Sequence, residues 1–135
     1  MKIAVLRGGH PAHYDDSLKT GEFVLSTLRA KSEQYQPLDV FISKDGDWYS
    51  SGLKQPPAKI ISRADLIWNG LHHDWPRGES ATRLMTQLNI PYTGSTTLGL
   101  GVATNRDLIK RAYNMAGLPT LRYEVLTTNA SLDDL

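Results

Sequence analysis

Cysteine is missing from this chain of 135 residues, so neither a disulfide nor a zinc–thiolate site can form. Nor does any apolar run approach the ~20 residues that a membrane-spanning helix needs. An excess of one charge is lacking too. Fifteen basic residues face 14 acidic ones, which leaves no electrostatic footprint for nucleic acid. The opening Met1-Lys2 runs straight into an apolar segment without the layout of a signal peptide. With the absent cysteines, this fits a cytoplasmic protein. Internal repeats and low-complexity tracts are absent as well. What remains is ordinary: 40% hydrophobic and 21% charged residues, as in soluble globular proteins. The length fits one domain on the usual scale of ~100–200 residues, enough to bury roughly two-thirds of the unfolded surface.

Along the chain, strand and helix patterns alternate. "KIAVLRGG" (2–9) is a continuous apolar run closed by glycines and reads as a buried strand. Leu18, Val24, Leu25 and Leu28 then recur near a helical period, with Gly21 on their side. Asp15 or Asp16 is placed to cap that helix. Gly21 costs about 1 kcal/mol against alanine in helix propensity, a cost that a close helix–sheet approach would justify. In "LDVFISKDGDWYSSG" (38–52), Val40–Ile42 is a strand, Asp45-Gly46 a tight turn, and Trp48 and Tyr49 begin the return. "LKQPPAKI" (53–60) reads as a surface connection and "ADLIWNGLHH" (64–73) as the next buried strand. A short helix follows in "GESATRLMTQLN", with Leu84, Met85 and Leu88 inward, and "IPYTGS" (90–95) reads as a fourth strand. Thr97–Val102 reads as a helical turn. Thr104 and Asp107 resemble a capping box for a helix that Gly117 stops, and "RYEVLTT" (122–128) reads as one more strand.

Such alternation predicts an α/β domain with a mostly parallel sheet and right-handed crossovers. In open sheets of this kind, ligands bind beyond the carboxyl ends of the strands, where strand order reverses. The first and third strands end in "GGHPAH" (8–13) and "GLHHDW" (70–75). If these strands are neighbours, the two loops line one cleft with all four histidines of the chain.

The order and spacing of "KIAVLRGG", "SLKTG", "GLH", "IPYTGS", "TNRDLIKRAYNMAGLPT" and "RYEVL" resemble the N-terminal domain of the D-alanine–D-alanine ligase family, ATP-grasp enzymes of peptidoglycan synthesis. The resemblance implies a Rossmann-like, pre-ATP-grasp, three-layer fold with four or five strands and a hairpin after the second. It implies residues 1–120 as that domain and 121–135 as the start of a segment leading to an ATP-grasp domain outside this sequence. In the implied reaction, ATP phosphorylates one D-alanine carboxylate and the amine of a second attacks the acyl phosphate. ATP and magnesium would serve the whole protein rather than this chain alone, which would be inactive by itself. D-alanine or an analogue, and a homodimer partner, are the implied partners, with no nucleic acid or membrane.

Carried over by position, the resemblance makes Gly8, Gly9, His13, Ser17 and His72 substrate-binding and places Arg106 near the ATP phosphates. No catalytic residue is implied within the chain. Departures are clear. His13 stands where the family has a glutamate that binds the ammonium of D-alanine. A neutral imidazole offers an ammonium only a weaker hydrogen bond, and an imidazolium repels it. Pro11 replaces a serine, removing a hydroxyl and a backbone donor. "HDWPRGES" (73–80) replaces a glycine-rich stretch with an acidic pair. Arg106 replaces a lysine and keeps the charge with a different geometry. These departures leave three explanations: a different substrate, a degenerate ligase-like protein, or Asp15 or Asp16 supplying the missing carboxylate. Two further readings stand beside the ligase one. His10, His13, His72, His73 and Asp74 have the ligand types of a zinc, nickel or iron site. Trp48, Tyr49 and Trp75 are candidates for a dimerising surface.

Overall fold

Lys2–Gly8 forms the central strand, β1, and its alternation sets the layers of the first unit. In the computed structural model, which describes residues 1–72 and 80–125, Ile3 and Val5 pack with Leu25 on one face. Ala4 and Leu6 pack with Val40, Ile60, Ile61, Ile67, Leu84 and Met85 on the other. A strand covered on both faces has no use for a polar side, which explains its unbroken apolar run. The chain divides into two compact units, the first spanning Met1–Thr97 and the second beginning at Leu98.

The sheet of the first unit has five strands in the order β4-β3-β2-β1-β5. β1 pairs in parallel with β2 (Gln36–Ile42) and, on its other side, with β5 (Leu66–Asn69). β3 (Trp48–Ser50) returns antiparallel to β2, and β4 (Leu53–Lys54) pairs with β3. Gly46, at φ +89°, makes the expected turn between β2 and β3. The fold is thus the anticipated α/β type, parallel at its centre, with a hairpin after the second strand.

Helix α1 (Tyr14–Arg29) crosses one face of the sheet. Its buried residues are Ser17, Gly21 and Leu25, spaced by four so that they share one side. Gly21 sits where an added Cβ would come within 2.6 Å of the Arg7 Cβ, so the close approach is real. Arg7 then reaches across to β2. Its Nε and Nη2 donate to the two carboxylate oxygens of Asp39 at 2.7 and 2.6 Å, and Nη1 lies 3.4 Å from Glu22 of α1. The hydrogen-bonded Asp39 carboxylate raises the Arg7 pKa above its ordinary value, against the opposing effect of burial. One guanidinium thereby joins α1, β1 and β2.

Several elements differ from the sequence reading. Asp15 and Asp16 do not cap α1. They occupy its first turn, where a carboxylate still complements the positive helix end. The segment "LKQPPAKI" is no mere connection: it contributes β4 and helix α2 (Pro57–Ile61), whose Ile60 and Ile61 are fully buried. Pro57 is tolerated because a first helical residue needs no N–H partner. "IPYTGS" gives not a strand but a single parallel bridge, Ile67 to Tyr92. There the Ile67 N–H donates to the Pro91 carbonyl (2.9 Å) and the Thr93 N–H to the Ile67 carbonyl (3.0 Å). In α3 (Ala81–Gln87) Leu84 and Met85 are buried, but Leu88, past the helix end, is 38% exposed. Trp48 is buried in its own unit; Trp75 lies outside the described residues.

The second unit carries α4 (Thr97–Thr104) and α5 (Arg106–Met115). Asn105, not Thr104, caps α5: its side chain accepts the Leu108 N–H at 3.1 Å. Thr104 instead donates to the Gly101 carbonyl at the end of α4 (3.2 Å). Asp107 accepts from Arg111 and from the Tyr123 hydroxyl, both at 3.0 Å, rather than closing a capping box. Gly117, at φ +71°, ends α5 as expected. Residues 122–125 form no strand, and the rest of "RYEVLTT" lies outside the described residues. Among the described residues no helix is long and apolar enough to cross a membrane.

Candidate functional site

β1 and β5 are parallel neighbours, and strand order reverses at β1: the chain goes to β2 on one side and reaches β5 on the other. The loops leaving β1 and β5 therefore meet beyond the carboxyl edge of the sheet, where this topology opens a crevice.

The loop after β1 is shaped by two glycines at φ +92° and +81°. A side chain at Gly8 would run into the carbonyl oxygen of Ile42, and the Gly9 N–H donates to that same oxygen at 2.9 Å. The chain then makes one 3₁₀ turn, Pro11–His13, and enters α1 directly. His10 starts that turn, its Nδ1 accepting the Ala12 N–H at 3.2 Å. His13 is the residue before α1. From the other side, β5 ends at Asn69, whose side chain accepts the Leu71 N–H (3.1 Å) and whose N–H donates to the Thr93 hydroxyl (3.0 Å). That small turn presents His72 to the crevice. The rings of His13 and His72 lie 5.8 Å apart, centroid to centroid, tilted by 53°.

Beneath them lies Ser17, fully buried in the first turns of α1. Its Oγ accepts the Gly8 N–H at 2.9 Å and donates to the Gly70 carbonyl at 2.8 Å. The hydroxyl proton thus goes to a backbone oxygen, not to an imidazole, so Ser17 and the histidines do not form a nucleophile–base pair. Tyr14 flanks the crevice on the β2 side, edge-on to Phe41 at 6.1 Å and under the Lys44 ammonium at 4.8 Å. Burial, then the nearby Asp15 carboxylate, pushes its phenol pKa upward.

Of the residues singled out in the sequence, the structure brings together Gly8, Gly9, His10, His13, Ser17 and His72. His73 and Asp74 lie outside the described residues. Arg106 belongs to the second unit, as the exposed first residue of α5. Its neighbour Asp107 pairs with Arg111 and Tyr123, which hold its carboxyl below the ordinary value of 3.8, Arg111 contributing most. Among the described residues no three His, Asp or Glu side chains are grouped to hold a metal ion. Two imidazoles fall short of a closed tetrahedral set. In principle each neutral imidazole has one donor and one acceptor, and the two rings meet in a tilted contact at the mouth of the crevice.

Gly70, Asn69 and Thr93 escaped the sequence reading. Gly70 is forced: a Cβ there would fall 2.6 Å from the Leu6 carbonyl and into the Trp68 ring. The Asn-Gly pair closing the strand pattern was the available signal for this turn.

No family model matches the chain. The chain is 33% identical over 132 residues to the D-alanine–D-alanine ligase of Marinomonas sp. (strain MWYL1), covering 97% of this chain and 39% of that protein. It is 32% identical over 136 residues to D-alanine–D-alanine ligase B of Xanthomonas campestris pv. campestris, covering 99% and 39% respectively. The chain thus spans about two fifths of the length of the curated relatives it matches. Among solved structures, the D-alanine–D-alanine ligase from Aeromonas hydrophila superposes with a TM-score of 0.76 at 18% identity, over 98% of this chain and 52% of that one. The Bacillus anthracis ligase complexed with ATP gives 0.72 at 21% identity, over 98% and 42%. At these identities the structural likeness speaks for the fold.

Proposed function

The chain is a relative of the D-alanine–D-alanine ligases over about two fifths of their length, and on that premise we propose that it is the N-terminal substrate-binding domain of an ATP-dependent carboxylate–amine ligase. The whole protein would join D-alanine or an analogue in making a peptidoglycan precursor, in the cytoplasm and as a homodimer. The observation that carries this reading is the likeness to the D-alanine–D-alanine ligases over 97% of the chain.

ATP, when bound by the whole enzyme, supplies a phosphoryl group that activates a carboxylate for attack by an amine. The task of this chain is to orient the small guest. The turn at Gly8 and Gly9 would shape the cradle and the rings of His13 and His72 would line it, a positioning role. Arg106 suits a phosphate chemically: its guanidinium is exposed at the positive end of a ten-residue helix, and the adjacent carboxylate is already engaged. Magnesium would belong with the ATP of the whole protein. The donor set at the crevice differs from a carboxylate, since an imidazole holds an ammonium only weakly. A guest with a hydroxyl or amide beside its carboxylate therefore fits the ring pair better than a zwitterionic amino acid does.

Ligand titration tests the reading. D-alanine and D-lactate are added to 15N-labelled chain, and the amide signals of Gly8, Gly9 and Leu71 are followed. Saturable shifts at these amides support substrate binding, strongest for D-lactate if the rings prefer a hydroxyl. No shift with either compound at millimolar concentration would remove the substrate role and favour a ligase-like module without a ligand. The isolated chain is expected to release no phosphate from ATP, and steady release by pure protein would overturn the assignment of catalysis to a further part of the enzyme.

A further inference from the structure

Lys44 sits in the turn between β2 and β3. β1, β2 and β5 run parallel, so this turn leaves the same edge of the sheet as the two histidine loops. It is tied in place from within. The Ser43 N–H donates to the Asp47 carbonyl (2.9 Å), the Gly46 N–H to the Ser43 carbonyl (3.0 Å), and the Asp47 N–H to the Ser43 hydroxyl (3.1 Å). Trp48, buried directly after it, pins the turn to the core. The Lys44 side chain is exposed, and its ammonium lies 4.8 Å from the centre of the Tyr14 ring. Phe41 meets that ring edge-on at 6.1 Å and itself packs on Tyr49 at 5.8 Å. The Tyr14 ring also borders the glycine turn: a Cβ added at Gly8 would come within 3.3 Å of its Cε2. One aromatic ring thus reaches from the start of the histidine loop to the Lys44 charge.

The neighbouring acids are engaged elsewhere. Asp47 pairs with Lys54 at 2.8 Å, and Asp39 takes two nitrogens of Arg7. Asp15, Asp16 and Asp45 are exposed, and among the described residues Lys44 makes no ion pair with any of them. A ring face attracts a cation without satisfying its N–H donors as an oxygen does. The ammonium therefore keeps its capacity for an anionic oxygen. We propose that Lys44 is a ligand-binding residue of the crevice, pairing with an anionic oxygen group of the guest. This deepens the substrate-binding reading given above and rests on it, naming a small organic acid as the class of guest. The rest of the lining agrees in sign. A carboxylate at position 13 would repel an acid, whereas the imidazole of His13 does not. Lysine is a compact charge on a flexible stem, so it can leave the Tyr14 face to meet the guest in a charge-assisted hydrogen bond.

The test titrates acetate, D-lactate and D-alanine, at constant ionic strength, into the labelled chain and into Lys44→Gln and Lys44→Arg. The signals followed are the amides of Gly8, Gly9 and Leu71 and the Lys44 Cε–H pair. Because Lys44 is exposed, both variants are expected to fold. D-lactate should bind about three- to tenfold more weakly to Lys44→Gln and nearly as well to Lys44→Arg, with the Lys44 signal shifting in step with Gly8. D-alanine, whose own ammonium offsets its carboxylate, should bind more weakly than D-lactate and lose less. Equal affinity in the unsubstituted chain and Lys44→Gln, or binding of D-alanine alone, would overturn the proposal while leaving the substrate reading intact. An equal loss in Lys44→Arg would overturn it too, since the charge would not be what binds. Acetate binding as tightly as D-lactate, and depending on Lys44, would support the lysine's role but remove the ligase substrate reading. Absence of shifts with all three acids would overturn both.

Discussion

Helices α1 and α5 belong to different units and are stabilised in different ways. Leu25 of α1 is fully buried between the helix and β1, and the Ser17 and Arg7 contacts anchor α1 to two strands. α5 has the sharper separation of apolar from polar sides, yet none of its residues is buried. Met115 is 90% exposed. Polar contacts within the second unit hold α5 instead: the Asn105 cap, the Asp107 pair with Arg111, and Lys110 over the Tyr123 ring at 4.5 Å. An amphipathic pattern therefore forecasts a helix without saying what lies on its apolar side. Resistance to unfolding should reside in the first unit, and local electrostatics should govern the second.

Core truncation gives the largest contrast. Leu6→Ala removes a fully buried side chain and should lower the unfolding free energy by about 2–5 kcal/mol. Met115→Ala should change it by less than about 0.5 kcal/mol. Urea denaturation measures both, and similar losses would erase the distinction between the units.

The helical glycines sharpen the contrast, because the same substitution should act with opposite signs. Gly21→Ala gains about 1 kcal/mol of helix propensity but pushes a Cβ to within 2.6 Å of Arg7. Overpacking of that kind costs about 1–3 kcal/mol, so a net loss in melting temperature is expected. Among the described residues, no atom lies within 4 Å of a Cβ added at Gly101 in α4. Gly101→Ala should therefore raise the helicity of the second unit, by up to about 1 kcal/mol in helix stability.

The smallest effect is that of acid on α5. Arg111, and then Tyr123, hold the Asp107 carboxyl below its ordinary value of 3.8. A depressed carboxyl adds stability above the unfolded pKa and loses it as the pH falls through the folded one. Circular dichroism should thus show a loss of helix below about pH 3.8, and Asp107→Asn should remove that step. A step that survives in Asp107→Asn would mean that other groups stabilise α5.

The readability of the sequence follows the same division. β1, the hairpin, α1 and β5 were legible because each carries a period or a turn that tertiary packing reinforces. Ile3 to Leu6 serve both faces, and Gly46 supplies the one positive φ the hairpin needs. α2 was hidden because its prolines read as a loop and its two isoleucines fall at the edge of the next pattern. The fourth strand was overread: Ile90 and Tyr92 have strand character, but Pro91 has no N–H for a ladder, and one bridge is all that forms. At the site, the meeting of the two histidine loops followed from topology. The Ser17 junction did not, because no local pattern marks which backbone groups a buried hydroxyl will meet.

The partner of that hydroxyl lies 53 positions further along the chain. During synthesis, β1, α1, β2 and the hairpin are all made before Gly70. Until then the serine holds only the β1 end, and the second wall of the crevice does not exist. The two walls of the crevice are thus made 53 positions apart, and a chain truncated before Gly70 lacks the second of them.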